Sequence, residues 1–112
     1  MRAYDRLSGD AEFARVRRRG RRLDGLHVAI VATPSRRGRP RVGIVPTKGF
    51  RSAVERNRVR RRVRAALETV GLPGNAVDMI VIARQSARDA AFSALCDDFR
   101  AAFSRIPRLG AA

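Results

Sequence analysis

The sequence has one cysteine, one histidine, one lysine and no tryptophan. Cys96 alone cannot close an intrachain disulfide, so packing and hydrogen bonds must hold the fold, and a reducing compartment, the cytoplasm, is expected. With single copies of Cys and His, no cluster of zinc-ligand spacing exists. No apolar run is long enough to cross a bilayer. The opening MRAYDRLSGD lacks the apolar core of a secretory signal, so no membrane role is expected. Acids are scarce as well. Ten Asp and Glu stand against 25 Lys and Arg, for a formal net charge of +15. The hydrophobic share is 45%, so the basic excess has not displaced a core.

What the chain has instead is arginine. Lys48 is the only lysine among its 25 basic residues. The guanidinium group binds phosphate through two parallel hydrogen bonds and stacks on bases, which an ammonium cannot do. Self-repulsion at +15 opposes compaction unless a polyanion neutralises it. Nucleic acid is the expected polyanion, in preference to an anionic membrane. The length of 112 residues suits a single domain spanning 1–112.

Helix and strand signals alternate along the chain. A helix is expected from Ser8 or Gly9 to about Arg19, with Asp10 and Glu12 in its first turn and arginines in its last, ending at Gly20. Residues 26–33, LHVAIVAT, are apolar on both alternating faces and predict a strand covered on both sides. PSRRGRP, 34–40, is a basic loop, and RVGIV, 41–45, a second strand. The short connection makes an antiparallel hairpin their simplest pairing. Ser52 followed by Glu55 is a capping box, and the helix it opens should run to about Val70 and stop at Gly71. LPGN, 72–75, predicts a turn, and AVDMIVIA, 76–83, a central buried strand. Ser86 and Asp89 suggest a second capping box. It would lead a last helix whose stripe is Phe92, Leu95, Phe99, Ala102, Phe103 and Ile106, closed by Pro107. The order α-β-β-α-β-α, with helices on one side of a small mixed sheet, predicts an α+β two-layer sandwich.

The segment RSAVERNRVRRRVR, 51–64, holds seven arginines and one acid. At about 100° per residue, Val59, Val63, Ala66, Leu67 and Val70 share one arc, which must pack on the sheet. Asn57, Arg61 and Arg64 lie opposite, Arg58 and Arg62 flank one side and Arg60 the other. Arg56 sits near the apolar edge. Solvated helix faces usually mix signs; here like charges at i,i+4 cost about 0.2–0.5 kcal/mol per pair. Binding of a polyanion accounts for that cost. Lys48 and Arg51 stand beside the free N–H groups of the helix start, a favourable place for phosphate.

The stretch RVGIVPTKGFRSAVERNRVRRRVR, 41–64, resembles the signature of the bacterial ribonuclease P protein family, with its R-[LV]-G strand, basic connection, A-V and R-N-R. RLSGDAEFARVRRRG is similar to the family's opening helix and DMIVIAR to its central strand. The resemblance implies the protein subunit of a ribonucleoprotein endonuclease. Its partners would be ribonuclease P RNA and precursor tRNA, without DNA or membrane. Mg²⁺ bound mainly by the RNA would assist removal of the 5′ leader, with no organic cofactor and with the protein alone inactive. It also implies a left-handed β-α-β crossover, against the right-handed default. Lys48, Arg51, Arg56, Asn57, Arg58, Arg60, Arg61, Arg62 and Arg64 would bind RNA. The family's leader cleft carries aromatics at three places; Phe13 occupies one, and Arg17 and Ile30 the other two. Base stacking, about 1–3 kcal/mol per base, is correspondingly reduced. Pro46, Gly49, Phe50 and Arg51 also depart from the family's usual connection.

Nothing else in the sequence forms a catalytic set. His27 reads as a sheet-face residue, Cys96 as a packed thiol, and Asp97 and Asp98 point different ways on a helix. The alternative to an enzyme subunit is a structural RNA-binding protein, such as a ribosomal one. A duplex-DNA reader is disfavoured because strands flank the basic helix, which leaves no helix-turn-helix.

Overall fold

The computed structural model describes residues 3–73 and 76–106. In chain order these form β1 (Asp5–Arg6), α1 (Asp10–Arg19), β2 (Arg21–Asp24), β3 (Val28–Pro34), β4 (Arg41–Pro46), α2 (Ala53–Val70), β5 (Val77–Ala83), a 3₁₀ turn (Gln85–Arg88) and α3 (Phe92–Arg105). The α+β class and the order of the six main elements match the sequence reading; β1 and β2 are additional. Gly74 and Asn75 of the expected turn, and Pro107, lie outside the described residues.

The expected hairpin does not form. The sheet order is β1-β4-β5-β3-β2, so β5 separates β3 from β4. β5 pairs antiparallel with β3, Ile80 opposite Val31, and parallel with β4, Ile80 opposite Gly43. The reason is burial: β5 and β3 are apolar on both faces, and only the inner slots of a sheet covered on both sides satisfy that. β4, half-exposed at its C-terminal end, takes a place nearer the edge. β3 forms its hairpin with the short β2 instead.

The strands' alternation feeds two apolar clusters. Val28, Ile30 and Ala32 of β3, with Val77, Met79, Val81 and Ala83 of β5, face α2 and α3. Val31 and Ile80 face the other way, toward Val16 of α1 and Leu7, with Phe13 packed against them. Thus α2 and α3 form the main helical layer, while α1 lies on the opposite face. The expectation that all helices share one side is corrected for α1.

α2 follows its sequence signals closely. The Ser52 hydroxyl accepts a hydrogen bond from the Glu55 N–H at 3.2 Å, and the Glu55 carboxylate accepts one from the Arg51 N–H at 2.7 Å. Val59, Val63, Ala66 and Leu67 are fully buried, each Val or Leu contributing about 1.5–3 kcal/mol. Gly71, at φ 88°, ends the helix in a conformation that disfavours other residues. β4 and β5 are parallel neighbours, so α2 is the crossover of a β-α-β unit.

α3 begins later than expected. Ser86 and Asp89 do not form a capping box, because residues 85–88 close into the 3₁₀ turn and Ala91 precedes the helix without a side-chain cap. The Ser86 hydroxyl instead lies 2.8 Å from His27 Nδ1. His27 itself precedes β3 and does not occupy a sheet face. Leu95 and Phe99 are buried as expected, but Phe92 is 41% exposed at the helix start and lies outside the core. Cys96 is packed in the core. Asp98 accepts from the N–H groups of His27 and Val28, at 2.8 and 3.1 Å, which ties α3 to the start of β3.

Candidate nucleic-acid interface

A groove of about 780 Å³ opens where α1 and α2 flank the sheet. Residues 42–45 of β4 line its floor. The two-residue β1 pairs only with Arg41 and Val42, so β1 does not cover β4 beyond that point. One wall is α2, through Asn57, Arg60, Arg61 and Arg64. The other is the segment leading into α1, with Arg6 and the Phe13 ring. Four arginines line this groove and no acid does.

The donors of the α2 wall are available. Among the described residues, no ion pair uses an arginine of α2; the pairs use Arg15, Arg22, Arg39, Arg41, Arg84, Arg88 and Arg100. Arg60 Nη1 donates to Asn57 Oδ1 at 3.0 Å, which leaves the Asn57 amide presenting its N–H groups. Arg64 Nε is buried without an acceptor. An orphaned donor of that kind costs about 1–3 kcal/mol until an oxygen reaches it.

Phe13 owes its place to Gly43. A Cβ at Gly43 would stand 2.6 Å from the Phe13 ring, so only glycine lets the ring lie on the strand. The Arg17 guanidinium sits 5.9 Å from the ring centroid, within cation–π range. Phe13 and Arg17 therefore lie together, Phe13 in the groove lining and Arg17 beside its ring. Ile30 is not with them: it is buried in the cluster facing α2 and α3. Its neighbour Val31 occupies the α1 face. Successive strand residues point to opposite faces, so a shift of one position exchanges sides.

The remaining expected contacts divide. Arg56 and Arg58 are exposed on α2. Lys48 and Arg51 stand at the approach to α2, also exposed, where Gln85 Nε2 donates to the Lys48 carbonyl at 3.1 Å. Arg62 is turned inward. Its guanidinium donates to the carbonyls of Ala87 at 2.6 Å and Arg88 at 2.7 Å, and to that of Ala90. It joins α2 to the 3₁₀ turn, so its guanidinium is engaged within the protein, unlike those of Arg58 and Arg61. These carbonyls are open because they lie between the end of the 3₁₀ turn and the start of α3, where no backbone N–H among the described residues returns to them, a feature invisible on a helical wheel.

A polar network that the sequence reading missed anchors α1. Asp78 of β5 is fully buried, and Arg41 meets it through Nε at 2.9 Å and Nη2 at 2.8 Å. Arg15 of α1 bonds the same carboxylate. Glu12 completes the set, receiving Arg15 at 2.8 Å and Arg41 at 3.0 Å. Burial pushes the Asp78 carboxyl up, but the Arg41 and Arg15 hydrogen bonds outweigh it and hold it below the usual carboxylate range. Hydrogen bonds from Arg15 and Arg41 likewise lower Glu12. The one available signal was a single Asp in an otherwise apolar strand, which needs a buried partner.

Comparison with known proteins agrees with this fold. The family described as Ribonuclease P matches residues 1–107. The ribonuclease P protein component of Gluconacetobacter diazotrophicus is 39% identical over 98 residues, covering 85% of this chain and 84% of the relative. That of a Roseiflexus species is 43% identical over 89 residues, 77% of this chain and 70% of the relative. The solved structure of Staphylococcus aureus RNase P protein superposes with a TM-score of 0.75 at 26% identity, covering 92% of this chain and 94% of that one. RNase P protein from Thermotoga maritima shares the fold, with a TM-score of 0.76 at 22% identity over 92% of this chain and 98% of that one.

Proposed function

Because the chain belongs to the ribonuclease P protein family, we propose that it binds the catalytic RNA of ribonuclease P and the 5′ leader of precursor tRNA, promoting endonucleolytic removal of the leader. The observation that carries this reading is the groove lined by four arginines and no acid. Arg61 and Arg64, with the Asn57 amide, hold phosphate oxygens, and Arg60 keeps that amide oriented. Phe13 offers a ring face to one base, with Arg17 supplying charge beside it. Arg56 and Arg58, exposed on the same helix, extend the contact to folded RNA, and Lys48 and Arg51 continue it at the helix start.

The hydrolysis belongs to the RNA, with Mg²⁺ held there. Among the described residues, no group of three His, Cys, Asp or Glu stands close enough to hold a metal ion. The Asp78 and Glu12 carboxylates are occupied by arginine, so neither serves as a general base. The chain's part is to position RNA and neutralise charge. No helix among the described residues is long and apolar enough to cross a membrane; the cytoplasm, where precursor tRNA is processed, is the compartment of this reading.

Reconstitution tests it. The purified chain, a ribonuclease P RNA and precursor tRNA are combined at low Mg²⁺. Cleavage at the mature 5′ end should be stimulated, and the chain alone should cleave nothing. Tight RNA binding without stimulation would instead indicate a structural RNA-binding protein.

A further inference from the structure

α1 borders a second groove, of about 690 Å³, closed on its far side by residues 33–36 at the end of β3 and the loop beyond. It shares no lining residue with the groove beside α2. Arg18 and Arg19 come to it from the helix and Arg36 from the loop. All three are exposed, and no side chain among them has a hydrogen-bond or ion-pair partner among the described residues. The one acid in the lining is Glu12, whose oxygens are taken by Arg15 at 2.8 Å and Arg41 at 3.0 Å. The floor of this groove is therefore electrically satisfied while its rim carries three unpaired guanidinium groups.

A purely structural account covers only part of this. Cations in the last turn of a helix gain about 0.3–1 kcal/mol from its dipole, which explains Arg18 and Arg19. It does not explain Arg36, which a separate loop brings to the same concave surface. Arginines converging from two elements, without an opposing acid, raise the local potential over a cleft.

We propose that this second groove binds the phosphodiester backbone of RNA, as a contact separate from the one made by α2. Guanidinium forks match phosphate oxygens. The lining contains no aromatic side chain, so the groove has no platform for a base and contacts backbone alone. This inference rests on the ribonuclease P reading above. The phosphates belong to the catalytic RNA or to the precursor tRNA, and the two arms of the test separate these sources.

The test compares the wild-type chain with Arg18→Gln/Arg36→Gln. A control, Arg100→Gln/Arg105→Gln, removes the same charge from α3. In one arm, affinity for the RNA subunit is measured against salt concentration; in the other, affinity of the reconstituted holoenzyme for precursor tRNA. In one arm the groove variant should flatten the slope of log K against log salt by about 1.4–1.8, two phosphates at about 0.7–0.9 each. The control should leave it near the wild-type value, and thermal unfolding should match for all three. The arm that moves identifies the RNA. Equal slopes for wild type and groove variant in both arms, with wild-type stimulation of cleavage intact, would overturn the second groove alone. So would a control that flattens the slope as much as the groove variant. A wild-type chain that neither bound RNA nor stimulated cleavage would overturn the underlying reading as well.

Discussion

Arg15 and Arg41, where α1 meets the sheet, are buried and end on Asp78 and Glu12. Arg56, Arg58 and Arg61, along α2, are exposed and end on nothing within the described residues. The residue type is the same; the position of the acids decides its role. Where a carboxylate is built into a strand, arginine becomes part of the core. Where carboxylates are kept away, it remains available to a partner. Arg62 shows that carbonyl oxygens can make the same decision, one residue from Arg61.

The sharpest break of this comparison is Asp78→Ala. It leaves two buried cations without their shared anion and should cost about 3–5 kcal/mol, read from urea unfolding. A loss below about 1 kcal/mol would mean that the network is not what holds α1. Acid should act in the same direction. The folded-state pKa of Asp78 is depressed, so its contribution is complete above the unfolded value, near 4, and is lost as pH falls through the folded one. Unfolding midpoints measured below pH 4 should fall with pH, less steeply in Asp78→Asn.

Arg62→Ala and Arg61→Ala sharpen the comparison within one helix. The first strands three carbonyls and should cost about 1–3 kcal/mol of stability, with the salt dependence of RNA binding unchanged. The second should stay within about 0.5 kcal/mol of wild-type stability while flattening the salt slope by about 0.7–0.9. Exchanged results would reverse the assignment of the two side chains. The smallest and most selective effect belongs to Phe13→Leu. It keeps an apolar contact against Val31 but removes the aromatic face, and should lower the preference for leader-bearing over mature tRNA by about 1 kcal/mol. An equal loss of affinity for the RNA subunit would point to packing as the residue's whole role.

α2 was legible almost to the residue, because its start, stop and buried arc are all local signals: Ser52 with Glu55, Gly71, and Val59 to Leu67 at helical spacing. Strand pairing was not, since two adjacent strands joined by a short loop give no sign that a third, 30 residues on, will insert between them. The misplacement of Ile30 has a related cause. LHVAIVAT is apolar at every position of interest, so its alternation identifies a doubly covered strand but not which parity faces α1. The groove itself was half legible. Its α2 wall follows from a wheel, but its opposite wall depends on where α1 crosses the sheet, which Arg15 and Asp78 fix across 63 positions of sequence.

The bare backbone of Gly43 beneath the Phe13 ring makes positions 13 and 43 sterically interdependent. A methyl group at 43 would lift the ring off the strand, and the groove would lose its aromatic surface even with every arginine in place. A larger residue at 43 would fit only with a smaller side chain at 13, so the two positions have to change together.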